Sequence, residues 1–125
     1  MGYRIFRSAE RDFSTPSGGD QTRGIVRLSE AMSQMRANLW RMPPGSRGRR
    51  HAERVQEEIF VVVDSTATLA LGEPAERVEL SSGSFAVVEP GTAVQVLNEG
   101  DADSTVLIIG APPVPGEADY LPSVD

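Results

Sequence analysis

The chain has 125 residues, no cysteine and a formal net charge of −6. One domain of this length can bury an ordinary core without covalent cross-links. The lack of cysteine excludes disulfides, thiolate metal sites and a cysteine nucleophile. No apolar run reaches the ~18 residues of a membrane span, and the N-terminus lacks an apolar signal segment. We therefore expect a cytoplasmic protein with no membrane partner.

Charge is divided unevenly along the chain. Residues 1–54 hold eleven arginines against five acidic residues, whereas residues 55–125 hold one arginine against thirteen. The overall acidity disfavours nucleic acid as a partner, because nucleic-acid binding needs a basic surface. All twelve basic residues are arginine, which fits a bacterial protein from a GC-rich genome.

Short apolar runs between turn clusters predict β-strands along the chain. The predicted strands are Tyr3–Phe6, Gly24–Leu28, Ala37–Met42, Glu58–Asp64, Thr66–Leu71, Arg77–Leu80, Phe85–Val88, Ala93–Leu97 and Thr105–Ile109. One helical turn is predicted within Ser29–Arg36, but no long stretch has helical periodicity. β-Branched strands that recur roughly every 8–12 residues are typical of an all-β sandwich or barrel.

The two termini are expected to pack rather than to hang free. We expect residues 1–125 to form a single domain, with a strand within residues 1–13 and an extended, proline-rich tail over residues 111–125. Ordered termini are usually held by packing. Both segments are therefore predicted to dock on the barrel or on a partner subunit.

A first motif follows the proline-rich turn at residues 43–45. Gly45 is followed after five residues by His51, then by Glu53 and, after four more residues, by Glu58. This spacing resembles the first motif of the cupin family, in which a second histidine stands at the position of Glu53 and a glycine at the position of Ser65.

A second motif lies about 20 residues further along the chain. Gly83, Gly91 and Asn98 match the second cupin motif, while Val94 stands where that motif has a histidine. The resemblance covers roughly residues 35–110. It implies a double-stranded β-helix, or jelly-roll barrel, with a site in the interior and often a homodimer.

Strand alternation places the motif residues on shared faces. His51 and Glu53 share one face if their segment is extended, and Glu58 shares a face with Phe60 and Val62. The resemblance implies that these faces line the barrel. The predicted pocket residues are therefore His51, Glu53, Glu58, Phe60, Val62, Val94, Val96 and Trp40.

The resemblance implies that the histidine and the two glutamates of the first motif stand at metal-ligand positions. His51, Glu53 and Glu58 could hold one divalent ion, such as iron, manganese, zinc or nickel. The valine at position 94 removes the fourth family ligand, which favours a site without metal. In that case the three residues form a polar cluster in which one carboxyl has a raised pKa or His51 is protonated.

Three arginines crowd the segment before His51. Arg47, Arg49 and Arg50 could steer a carboxylate or phosphate to the pocket mouth, since a guanidinium fork suits both groups. The competing interpretation is a solvated loop whose arginines pair with the acidic C-terminal half. For Trp40, a cavity position and a core or dimer-interface position remain open.

Two functions remain open at this point. The first is a barrel that binds a small organic molecule, with a degraded metal site and no robust catalysis; its apolar interior suits an organic ligand with a few polar anchors. The second is a metal-dependent dioxygenase, isomerase or decarboxylase that uses His51, Glu53 and Glu58. A metal-free sugar-nucleotide isomerase or epimerase is disfavoured, because Tyr3 and Tyr120 lie near the termini and no tyrosine is predicted on a barrel strand.

Overall fold

The structure is a computed structural model that describes residues 2–7, 12–114 and 116–125. Within that part of the chain it contains a short 3-10 helix at Leu28–Ala31 and ten β-strands. The strands are β1 (Gly24–Val26), β2 (Arg36–Met42), β3 (His51–Glu53), β4 (Glu57–Asp64), β5 (Thr66–Leu71), β6 (Glu76–Ser81), β7 (Phe85–Val88), β8 (Ala93–Leu97), β9 (Ser104–Ala111) and β10 (Ala118–Tyr120).

The strands form two facing antiparallel sheets. The first sheet has the order β1-β2-β9-β4-β7, and the second has the order β10-β3-β8-β5-β6. Consecutive strands often lie in different sheets, as in β2 to β3 and β3 to β4, so the chain winds between the sheets as a jelly roll. The predicted all-β, double-stranded β-helix fold is confirmed.

Eight of the nine predicted strands are present, with small shifts at their ends. The predicted strand Tyr3–Phe6 is wrong: these residues have no regular secondary structure and pair with no strand of the described residues, and Tyr3 and Ile5 are largely exposed. Alternation of apolar and polar residues cannot make a strand where no neighbouring strand is available to pair. The predicted helical turn is the 3-10 helix.

The core fills one end of the space between the sheets. It contains Met42, Phe60, Val62, Ala67, Leu69, Val88, Val94, Val96 and Val106. These side chains come from the inward pleats of both sheets, as in other sandwiches. No helix in the described part of the chain is long and apolar enough to cross a membrane.

The C-terminal tail packs on its own chain. Strand β10 pairs with β3, so that Tyr120 lies opposite His51. Beyond it, the Leu121 amide donates to the carbonyl of Arg50, and the Val124 amide donates to Gln95 Oε1. The tail therefore extends the second sheet beside the predicted site.

Candidate functional site

Strands β3 and β4 bring the three predicted metal-binding residues together. His51 and Glu53 alternate with Ala52 on β3, and Glu58 lies on the inward pleat of β4 in the opposite sheet. His51 Nε2 is 3.0 Å from Glu58 Oε1 and 3.3 Å from Glu53 Oε2. The three side chains offer ligand atoms that all lie within 4.8 Å of one another.

The other ring nitrogen of His51 limits its protonation states. His51 Nδ1 is 3.3 Å from the carbonyl oxygen of Arg49, which can only accept a hydrogen bond. A proton on Nδ1 satisfies that contact and leaves Nε2 facing two carboxylates. Because carboxylate oxygens are also acceptors when ionised, a proton or a cation is required between Nε2 and the two glutamates.

The pKa values of the cluster reflect this arrangement. Burial lowers the pKa of His51, but the hydrogen bond to Glu58 and the charges of both glutamates outweigh burial, so the net shift is upward. Burial raises the pKa of Glu53, and the charge of Glu58 raises it further. The charges of His51 and Arg36 act on Glu53 in the opposite direction. Both shifts favour the protonated forms of His51 and Glu53 in the absence of metal.

The cluster lies in the wall of a cavity of about 610 Å³ between the sheets. Seven of the eight predicted pocket residues line this cavity: His51, Glu53, Glu58, Phe60, Val94, Val96 and Trp40. Val94 lies directly opposite His51 in the β3–β8 pairing and is 1% exposed. The position of the missing fourth family ligand is therefore an apolar surface beside the imidazole.

Val62 does not line this cavity, which corrects its predicted place. It lies one inward pleat beyond Phe60, next to Val106 on β9, where core side chains close the end of the barrel. Strand alternation gave the correct face for Val62. It could not give the depth at which the cavity ends.

Of the three predicted anion-steering arginines, only Arg49 lines the cavity. Its guanidinium lies 3.8 Å from the centroid of the Tyr120 ring. Arg50 is buried and forms a 2.9 Å ion pair with Glu73, while Arg47 donates to Ser123 Oγ at 2.8 Å. The docked tail thus holds Arg47 and Glu73 holds Arg50, and Arg50 is buried rather than part of a solvated loop.

Trp40 lies on the cavity side of β2. The guanidinium of Arg23 stacks over its ring at 4.4 Å, and Arg23 itself is buried and donates to the carbonyls of Gly18 and Asp20. Of the two positions left open for Trp40, the structure shows the cavity position.

Tyr120 corrects the expectation that no tyrosine lies on a barrel strand. It belongs to β10, and its ring centroid is 6.4 Å from that of His51. The tail over residues 111–125 contains four prolines and only a short run of strand formers, so pairing of β10 with β3 could not be predicted from it.

Several polar residues of the cavity were not predicted. They include Arg36 on β2 and Gln56, which is 2% exposed between β3 and β4, whereas Asn38 shares the cavity face of β2 with Trp40, as strand alternation allows. Gln56 Nε2 and Asn38 Oδ1 are buried and have no hydrogen-bond partner among the described residues. One sequence signal existed: Gly110 lies inside β9, and a glycine within a strand often marks a close approach of another group.

The donor set fits a divalent metal ion. One imidazole nitrogen and two carboxylates suit zinc, manganese or iron, and a cation would meet the need of Nε2 for a proton or a cation between itself and the glutamates. At metal–ligand bonds of about 2.1 Å, ligand atoms lie roughly 3 to 3.5 Å apart. The two His51–glutamate distances of 3.0 and 3.3 Å fall in that range.

Comparison with known proteins identifies relatives of this chain. The family model described as "Cupin domain" matches residues 38–110. The crystal structure of a sugar phosphate isomerase from the cupin superfamily of Silicibacter pomeroyi DSS-3 is 30% identical, with a TM-score of 0.70. The match covers 79% of this chain and 65% of the isomerase chain, so this chain spans just under two thirds of that relative.

Two further structures share the fold at lower identity. An uncharacterized conserved protein with a double-stranded β-helix domain from Klebsiella pneumoniae has a TM-score of 0.76 at 21% identity, covering 97% of this chain and 99% of that one. A predicted oxalate decarboxylase from Thermotoga maritima has a TM-score of 0.64 at 21% identity, covering 70% and 78%. A search of curated proteins found no match.

Proposed function

The chain belongs to the cupin family, and we propose that it binds a small organic molecule in the barrel cavity beside one divalent metal ion. His51, Glu53 and Glu58 would hold the ion. The observation that carries this proposal is the convergence of His51 Nε2 on two carboxylates while Nδ1 faces a carbonyl oxygen. A cation satisfies all three side chains at once.

The size and lining of the cavity support an organic ligand. A volume of about 610 Å³ is within the range of small-molecule sites, which are mostly apolar with a few placed polar groups. Phe60, Val96 and Trp40 supply apolar wall. His51, Glu53 and Glu58, called the metal cluster below, supply the polar anchors together with the arginines.

The chemistry of the site depends on charge and on proton position. A divalent ion, when bound, would polarise a ligand oxygen as a Lewis acid. Glu53 and Glu58 would balance its charge and orient it, and the carbonyl of Arg49 would fix the imidazole with Nε2 toward the ion. Val94 gives no fourth protein ligand, which leaves that side apolar and supports binding without robust catalysis.

A metal-dependent isomerase is the second candidate. The observation that favours it is the 30% identity to the sugar phosphate isomerase, over 79% of this chain. Tyr120 lies beside His51 at the cavity wall, and its hydroxyl is a group able to move a proton between neighbouring carbons of a ligand.

Elemental analysis of untagged protein, followed by isothermal titration with zinc, manganese, iron(II) and nickel salts, tests the proposal. We expect one ion per chain. Glu58→Gln should weaken binding by at least about a hundredfold, since even the partners of metal ligands contribute about 10–100-fold. Glu57→Gln is the matched control, because Glu57 is exposed on the opposite face of β4. A wild-type protein that binds none of the four ions would overturn the proposal.

A further inference from the structure

We propose that Gln56, which packs over Gly110, and Arg36, the residue opposite that glycine on β2, form a subsite that binds the carboxylate or phosphate of the ligand. This inference rests on the proposed binding function, and it concerns residues outside the metal cluster. It assigns the ligand to the class of hydroxylated organic anions.

Gly110 creates the space for the subsite. In the first sheet it lies between Arg36 on β2 and Glu58 on β4, directly opposite both. A Cβ atom at position 110 would be 2.8 Å from Gln56 Oε1 and 3.4 Å from Glu58 Cγ. The amide of Gln56 therefore lies on the glycine, between the arginine and the metal cluster.

The polar atoms at this place are incompletely paired. Gln56 is 2% exposed, yet its Nε2 has no hydrogen-bond partner in the described part of the chain. Asn38 Oδ1, two residues along β2 from Arg36, is also buried without a described partner. Leaving such buried atoms unpaired is unfavourable, so a ligand that pairs with them gains affinity.

Arg36 is the cavity arginine available to a ligand. It makes no hydrogen bond or ion pair with the described residues, although its charge acts on Glu53. The other three arginines that line the cavity have partners: Arg23 over Trp40, Arg27 on Ser14 Oγ and Arg49 over Tyr120.

These groups define the chemistry of the ligand. The guanidinium fork of Arg36 and the N–H of Gln56 both donate, so they match a pair of anionic oxygens. Asn38 Oδ1 accepts, so it matches a hydroxyl group near the anion. Glu58 lies on the other side of Gly110, which places the far end of such a ligand toward the metal cluster.

Titration calorimetry with four probes tests this subsite on metal-loaded and metal-free protein. The probes are glycolate, glycerol 3-phosphate, inorganic phosphate and neutral glycerol. We expect at least one anion to bind and glycerol to bind much more weakly. Arg36→Gln and Gln56→Met should each lower the affinity for the anion by about 10–100-fold, which is the effect of losing a hydrogen bond to a charged group. Tighter binding of glycolate assigns the subsite to carboxylate, and tighter binding of glycerol 3-phosphate assigns it to phosphate.

Arg41→Gln is the matched control. Arg41 is on the same strand but on its outward face, where it stacks on Phe13, so anion affinity should not change. Gly110→Ala is an independent test, because the new methyl group must displace the Gln56 side chain while leaving Arg36 in place; it should weaken the same anion. Circular dichroism of each variant checks the fold.

Two outcomes overturn the subsite: no binding of any anion by the wild type at millimolar concentration, or equal anion affinity in Arg36→Gln and the wild type. Metal titration of Arg36→Gln separates this result from failure of the proposed metal site. If the variant loses the anion but keeps the metal, the subsite stands independently. If no metal binds but an Arg36-dependent anion does, the metal site fails and the subsite remains.

Discussion

In the metal-free protein, the cluster of His51, Glu53 and Glu58 should make the free energy of unfolding fall as the pH rises. The pKa values of His51 and Glu53 are both raised above their ordinary values of 6.5 and 4.5. For His51, the stabilising contribution is fully present below pH 6.5 and is lost as the pH rises through the folded-state pKa. For Glu53, ionisation above pH 4.5 is unfavourable in the folded state. Both groups therefore reduce stability as the pH rises.

The size of the effect follows from proton linkage. Each group that keeps a proton in the folded state and loses it in the unfolded state changes the free energy of unfolding by at most about 1.4 kcal/mol per pH unit. The depressed pKa values of Asp20 and Asp119 act in the opposite direction, but only near and below their ordinary value of 3.8. The interval from pH 4.5 to 7.5 thus reports mainly on the cluster.

Metal should reverse this slope. An ion must displace the protons of the cluster, so its affinity rises with pH. At a hundred times the dissociation constant, the ion adds about 2.7 kcal/mol to the free energy of unfolding, which corresponds to a rise in Tm of about 10 °C for a domain of this size. The metal-induced rise in Tm should increase from pH 5 to pH 7.5, where metal-free protein loses stability.

Urea unfolding of EDTA-treated and zinc-loaded protein, at half-unit pH intervals, measures both slopes. Glu53→Gln should flatten the slope of the metal-free protein and reduce the stabilisation by zinc. Glu57→Gln, on the exposed face of β4, should behave as the wild type. The reasoning is refuted if metal-free wild type and Glu53→Gln show the same pH dependence, or if zinc stabilises equally at pH 5 and pH 7.5.

Three further predictions concern residues outside the cluster. Trp40 is the single tryptophan and lines the cavity, so binding of a cavity ligand should change its fluorescence, and an unchanged spectrum at saturation would place the ligand elsewhere. Asn98→Ala should lower the free energy of unfolding by about 1–3 kcal/mol, because the buried amide donates to the carbonyl of Met42 at 2.7 Å, which the variant leaves unpaired. Chemical denaturation measures this, and a change below about 0.5 kcal/mol, the usual scatter for surface sites, would contradict it. We also expect a homodimer, since Phe85 and Val87 on the edge strand β7 are 63% and 65% exposed; a monomer in sedimentation velocity would contradict this.

The fold was predictable because its signals are local. Short apolar runs and turn residues mark eight of the strands, and alternation assigns their faces. The turn at residue 65 lies where the motif predicts it, but the residue is serine where the family motif has glycine. Ser65 has a φ of 64°, a left-handed conformation that glycine adopts more easily. Strand β10 was missed because a three-residue strand forms only where β3 offers an edge, and no local pattern records that edge.

The convergence of His51, Glu53 and Glu58 was predictable for a related reason. The three residues lie within eight positions of the chain, from His51 to Glu58, so strand alternation and motif spacing suffice to bring them together. The arginines were harder to place, because their partners are distant in sequence. Arg50 is held by Glu73 and by the tail carbonyl of Pro122, and no short-range pattern could have separated it from Arg49.

The anion subsite shows why the remaining polar residues of the cavity could not be predicted from the sequence. Gln56 lies between Glu53 and Glu58, but its significance depends on Gly110, more than fifty residues away. A glycine within a strand has no side chain to pack, and it often marks a place where another group comes close. Here that group is the amide of Gln56, whose N–H has no partner among the described residues. Arg36 lies on the other side of that glycine. The constellation therefore exists only through the β2–β9–β4 register, so a variant that shifts this register should lose anion affinity even with every subsite residue retained.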